Sequence, residues 1–209
     1  MYMIIYRYAA CRRTERLPVI RGYLVFVPFI INPYFWDDKK TKDMYSIRRA
    51  TTEDCGLIHT MAWEAFPHTY RDILSSAQIE YMMHMMYDAE VLRRQMTQEG
   101  HEYFIASDTG GMPVGYVSVR PDGEDIVHLE KIYVLPHWQN AHCGRTLFRY
   151  AVSYVREARP EVRAIELNVN RCNPALGFYR RMGMRIKCEG DFAIGNGFYM
   201  NDYIMCLEL

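Results

Sequence analysis

Ile132-Tyr133-Val134-Leu135-Pro136-His137-Trp138-Gln139-Asn140-Ala141-His142-Cys143-Gly144-Arg145-Thr146-Leu147-Phe148 decides how the rest of the chain is read. An apolar strand runs to Val134, Pro136 ends it, a short loop follows, and a helix begins near Arg145. Loop amides beside a helix N-terminus make a ready anion site, and Arg145 adds a fixed positive charge. Every strand-to-helix corner has such amides, so these residues alone establish only an anion-competent turn.

Working outward, the chain from Met44 alternates strands and helices. Period-2 stretches predict strands at 45–49, 102–107, 114–120, 126–134, 164–170, 184–188 and 199–209. Helical spacing predicts helices at 53–66, 77–87, 90–98, 145–157 and 174–182. Thr52 is expected to cap the first, Pro67 to stop it, Ser76 to start the second, Asp88 to cap the third and Asn173 the last. Antiparallel hairpins come first and strand–helix units later. That order predicts an α/β (α+β) domain with a mixed central sheet and helices on both faces.

The chain has 209 residues, enough for one domain and short for two. Lys+Arg and Asp+Glu are equal at 25 each, which argues against a dedicated nucleic-acid binder. The balance is uneven. Residues 1–43 carry eight Lys/Arg and four Asp/Glu, leaving 17 and 21 for 44–209, so that region favours a cationic partner. Residues 1–43 read as an N-terminal extension or linker and 44–209 as the domain. The longest apolar run, 23–31, is broken by Pro28 and too short to span a bilayer, so no membrane partner is expected. Six scattered cysteines show no zinc spacing; reduced thiols, a cytoplasmic setting and no metal are expected.

Two stretches resemble the signatures of the GNAT (GCN5-related) N-acetyltransferases. Gln139 and Gly144 match the ends of the acetyl-CoA signature, Gln/Arg-x-x-Gly-x-Gly/Ala. Leu167-x-Val169, then Asn173-x-Ala175-x-x-Phe178-Tyr179-x-x-x-Gly183-Met184, match the family's last strand–helix unit. Asn140 and His142 depart from the glycine pattern, where glycine would allow positive φ and close approach to phosphates. Among GNAT enzymes the chain looks most like the diamine and polyamine branch.

The resemblance implies a GNAT fold with a mostly antiparallel sheet. It also implies direct acetyl transfer from acetyl-CoA to a small-molecule amine. Ile132, Tyr133, Val134, Gln139, Asn140, Ala141, His142, Cys143, Gly144, Arg145, Thr146 and Asn173 would bind the cofactor. Tyr179 would be general acid; Glu130 would be general base with His128 as runner-up, both preceding a bulge in the central strand. Trp63, Phe66, Tyr70, Tyr81 and Asp202 would line the acceptor site. The family often dimerises, and a strand of the C-terminal hairpin would be the homodimer contact. The departure at His142 keeps a second reading open: a catalytically impaired module that binds acyl-CoA or a partner.

Overall fold

The computed structural model describes residues 44–209; the expected extension at 1–43 lies outside the described residues. Seven strands form one sheet: β1 Tyr45–Arg49, β2 Glu102–Asp108, β3 Pro113–Pro121, β4 Ile126–Val134, β5 Ala164–Asn170, β6 Arg185–Gly195 and β7 Phe198–Glu208. Their spatial order is β1-β2-β3-β4-β5-β7-β6. Every neighbouring pair is antiparallel except β4–β5. Five helices accompany them: α1 Cys55–Tyr70, α2 Ser76–Tyr87, α3 Ala89–Thr97, α4 Cys143–Ala158 and α5 Leu176–Arg181.

The period-2 pattern splits the sheet residues between two cores. Phe104, Val117, Leu129, Ile165 and Met205 pack with Leu147, Phe148 and Val155 of α4. The alternate residues Tyr103, Ile105 and Tyr116 pack with Ile58, Phe66, Met83 and Leu92 of α1–α3. Helices thus cover both faces, as the alternation predicts.

Local capping differs from the sequence reading. Thr51, not Thr52, caps a short 3₁₀ turn at Thr52–Asp54; its hydroxyl accepts from the Glu53 amide, while Asp54 accepts from the Thr51 amide at 2.8 Å. Ser76 opens α2 as expected, one residue before the predicted span, and Ser75 caps it. Asp88 stands at the N-cap of α3 but makes no side-chain cap bond. Pro67 does not stop α1, which runs on to Tyr70. Burial of Phe66 and Tyr70 on either side of the proline offsets the hydrogen bond it removes. The last hairpin also exceeds its expectation: β6 reaches Gly195, and Asn196-Gly197 turns the chain with φ of 51° and 77°. That pair is the hairpin dipeptide whose two positive φ values match strand twist.

Gly115 fixes the approach of β3 to β4. A Cβ there would lie 2.6 Å from the Tyr133 carbonyl oxygen and 3.2 Å from Leu147. Backbone cannot retreat without breaking the ladder. Gly115→Ala should therefore destabilise by about 1–3 kcal/mol, the usual cost of overpacking. In thermal unfolding that is a fall of several degrees for a domain of this size. An unchanged midpoint would show that the strands have slack here.

Candidate active site

β4 is the strand that builds the site. It pairs with β3 from Val127 to Val134, but the register slips once: Ser118 faces Lys131 while Val119 faces Leu129. Glu130 is therefore the bulged residue; the bulge does not follow it, as the sequence reading expected. The slip preserves the apolar parity. Val127, Leu129, Ile132 and Val134 all serve the α4–α5 core, while Glu130 and Lys131 both leave by the other face.

On its other side β4 pairs with β5 only over Ile126–His128 and Ala164–Glu166. Beyond that the two parallel strands part. The β4 amides that point toward β5 past His128 have no strand partner there, and buried amides demand one.

At the end of β4 the chain makes a 3₁₀ turn, Pro136–Trp138, and Gln139 folds back so that its Nε2 donates to the Val134 carbonyl at 3.3 Å. Asn140 and His142 then take left-handed backbone, φ 66° and 64°. Asparagine tolerates this; histidine does so at about 1–2 kcal/mol. The Tyr45 hydroxyl donates to the Ala141 carbonyl at 2.7 Å, and its ring meets Trp138 edge-on at 6.4 Å. The His142 carbonyl accepts from the Thr146 amide and hydroxyl at 3.1 and 3.2 Å, closing the first turn of α4. Cys143 is buried among apolar groups, which push its thiol up to about 12, so only its backbone is available to a ligand. The loop thus presents first-turn amides and Arg145 at a left-handed corner, which fits a diphosphate.

Beside the parted strands stands an aromatic wall. Tyr133 from β4 stands beside Tyr70 from α1, close enough for each phenol to influence the other's ionisation. Asn173 Nδ2 donates to the Tyr70 hydroxyl at 3.4 Å, while its Oδ1 accepts from the Ala175 amide at 2.8 Å. Asn173 therefore ties the approach to α5, which begins at Leu176 rather than Pro174, to the wall. Phe66 packs at 4.4 Å from the Tyr70 ring and 5.9 Å from Tyr133. Tyr179, on α5, is buried; burial pushes its hydroxyl well above the usual phenol value, with Tyr70 adding to the rise. It is a phenol that keeps its proton. Burial likewise pushes Tyr70 up to about 12.

A polar row crosses the same face. Arg120 Nε donates to Glu130 Oε1 at 2.8 Å, and His128 Nδ1 lies 3.3 Å from the same oxygen. His128 Nε2 meets Asn168 Oδ1 at 3.2 Å, and Asn168 Nδ2 reaches Asp202 Oδ2 at 3.5 Å. Burial alone would raise the Glu130 carboxyl, but His128 holds it well below the usual range. Burial would likewise lower His128, but Glu130 and Asn168 hold it above. Each shift runs against burial, so each group favours the ionised form of the other.

Two expected acceptor residues stand elsewhere. Trp63 is 39% exposed, with its ring between His59 and His84. Tyr81 donates to the Ile194 carbonyl at 2.9 Å and packs on Phe198, clamping the β6–β7 turn to α2. The sequence reading missed Tyr45, Arg120 and Asn168, whose roles depend on tertiary placement. Among the described residues no helix is long and apolar enough to cross a membrane, and no three His, Cys, Asp or Glu gather as a metal site.

A profile of the acetyltransferase (GNAT) family matches residues 57–184. No curated protein matches the chain. Among solved structures, the PaiA N-acetyltransferase of Thermoplasma acidophilum in complex with coenzyme A aligns with a TM-score of 0.65 at 21% identity, over 79% of this chain and 99% of that one. A GCN5-related N-acetyltransferase of Rhodopseudomonas palustris aligns at 0.66 and 22%, over 79% and 96%. The spermidine/spermine N-acetyltransferase SpeG of Vibrio cholerae, solved with manganese ions, aligns at 0.56 and 17%, over 80% and 94%.

The left-handed His142 makes one outcome specific. Glycine adopts that backbone freely, so His142→Gly should bind coenzyme A as well as the parent or up to about tenfold tighter, relief of about 1 kcal/mol of strain. Calorimetric titration reads this directly. A large loss of affinity would make the imidazole itself a phosphate ligand.

Proposed function

The chain belongs to the acetyltransferase (GNAT) family, and from that premise we propose that it acetylates a primary amine of a small diamine- or polyamine-like cation by direct transfer. It is an N-acetyltransferase that uses acetyl-CoA as donor. The observation that carries the proposal is the meeting, beside one parted strand end, of a left-handed amide loop, the β4 stretch beyond its pairing with β5 and the buried phenol Tyr179.

Bound acetyl-CoA supplies the acetyl group as a thioester. The loop from Gln139 to Thr146 holds the diphosphate through its amides and Arg145. The amides of β4 between Leu129 and Val134 that face the gap donate to the thioester oxygen as negative charge builds on it. Tyr179 donates its proton to the departing sulfur, a role suited to a phenol that burial keeps protonated. Phe66, Tyr70 and Asn173 form the wall against which the acceptor sits, and Asp202 supplies its polar end. His142 keeps the loop in the left-handed shape despite its side chain, which supports binding of the acyl-CoA.

The acidic balance of residues 44–209 supports a cationic acceptor, and SpeG is a polyamine enzyme of the same fold. A cytoplasmic setting suits the five unbridged cysteines of the described residues. β6 is an outer strand of the sheet, and its free edge is the proposed homodimer contact.

The test is thiol release from acetyl-CoA across a panel of 1,4-diaminobutane, spermidine, lysine and glutamate. The diamine and polyamine should be turned over and glutamate should not. Tyr179→Phe removes one hydroxyl and little volume. It should lower kcat by roughly 10²–10⁴-fold with coenzyme A affinity nearly unchanged. An unchanged kcat, measured where chemistry limits turnover, would leave Tyr179 as packing.

A further inference from the structure

Asp202 is a buried acid that the fold does not satisfy. Its Cα faces Asn170 on β5 and Gly190 on β6, and the residue is only 5% exposed. Oδ2 reaches Asn168 at 3.5 Å, but Oδ1 has no hydrogen-bond partner. Arg171 is the nearby cation, yet its Nη2 is committed to the Gly190 carbonyl at 3.1 Å and to Asp191, and its Nε is buried without a partner. Leaving a buried carboxylate oxygen unpaired costs stability, and such costs collect at functional sites.

The surroundings say what the oxygen is for. Asp202 lies close enough to Tyr70 to raise that phenol. Tyr70 stands beside Tyr133, near the end of β4, and accepts from Asn173, at the approach to the helix that carries Tyr179. The carboxylate therefore adjoins the wall of the gap where the thioester would be attacked. The other acids and bases of this face are already engaged. Glu130 is held between Arg120 and His128, and both ring nitrogens of His128 are engaged, by Glu130 and by Asn168. His128 instead donates to Asn168 Oδ1, which turns the amide so that Nδ2 faces Asp202.

We propose that Asp202 is a catalytic residue: its unpartnered Oδ1 receives the ammonium of the acceptor and takes one of its protons. His128 and Asn168 are positioning residues that fix the carboxylate. The assignment rests on the acetyl-transfer reading. Asp202 removes one proton from the R–NH3⁺ acceptor, leaving R–NH2, whose nitrogen forms the C–N bond to the acetyl carbon as the C–S bond breaks. Tyr179 protonates the departing thiolate and regains a proton from the same nitrogen as the amide forms. The proton on Asp202 passes to solvent, so the net products are the amide, the thiol and one proton. Burial raises Asp202 to about 6, with Asn168 and Arg171 pulling it down, which places it nearer neutrality than an ordinary carboxyl.

The experiment compares the full-length wild type with Asp202→Asn, using acetyl-CoA and 1,4-diaminobutane between pH 6 and 9.5. The variant should bind coenzyme A within about twofold of wild type. Its kcat at pH 7 should fall roughly 10²–10³-fold, and the deficit should shrink as pH rises and free amine accumulates. A second readout needs no turnover. A carboxyl raised on folding costs stability above its folded value, and the cost fades as pH falls toward its unfolded value. Asp202→Asn should therefore melt above wild type, with a wider gap at pH 8 than at pH 4.5. An active wild type with unchanged variant kcat, or with only a raised KM, overturns the role of Asp202. A wild type that binds coenzyme A but acetylates no amine overturns the acetyl-transfer reading itself.

Discussion

β4 must satisfy two neighbours that want different things from it. β3 pairs with it to the last residue, whereas β5 stays alongside for three residues only. The bulge at Glu130 reconciles apolar parity with that geometry. Without the extra residue, Ile132 and Val134 would face α1–α3 and Tyr133 would point into the α4–α5 core, since a slip of one flips every side chain. With it, Tyr133 reaches Tyr70 and Phe66, and the strand end opens away from β5. The loop to α4, the wall of phenols and the gap between them all descend from that one residue.

The face on which the bulge opens is unusually polar for an interior. Lys131 is buried between the rings of Tyr87 and Tyr103, 5.7 and 5.4 Å from their centroids, and donates to Gln95 Oε1 at 3.2 Å. Burial pulls its ammonium down to about 8, with the Glu130 charge opposing. Glu130, leaving by the same face, is matched by Arg120 and His128. The bulge thus places two opposite charges side by side under cover, and each is given its own partners. Asp202 breaks that rule, and the imbalance sets it apart from its neighbours.

Much of this was legible in the residues. Strand β4 from Ile126 to Val134 and β5 from Ala164 to Asn170 follow from their periods to the residue, and the helix after Gly144 follows from its apolar stripe. Asn140 and His142 stand where the glycine pattern calls for positive φ, and both adopt it. Local signals misled where tertiary burial outweighed them, as with Pro67 inside α1. The Asn196-Gly197 dipeptide is itself a hairpin signal, and the strand before it alternates too weakly to announce its length. The polar row was not readable at all. Arg120, His128, Asn168 and Asp202 come from four strands, and only the sheet order places them in line. Trp63 and Tyr81 show the same limit: their spacing places them on α1 and α2, but tertiary packing sets what their rings meet.

The central claim is that the parted end of β4 and the left-handed loop together form the acyl-donor site. Residue-resolved hydrogen–deuterium exchange with and without coenzyme A tests it most directly. Binding should slow exchange at amides within 129–134 and 140–146 together, and leave the outer strand β6 unchanged. Tight binding with no added protection in either segment would contradict it.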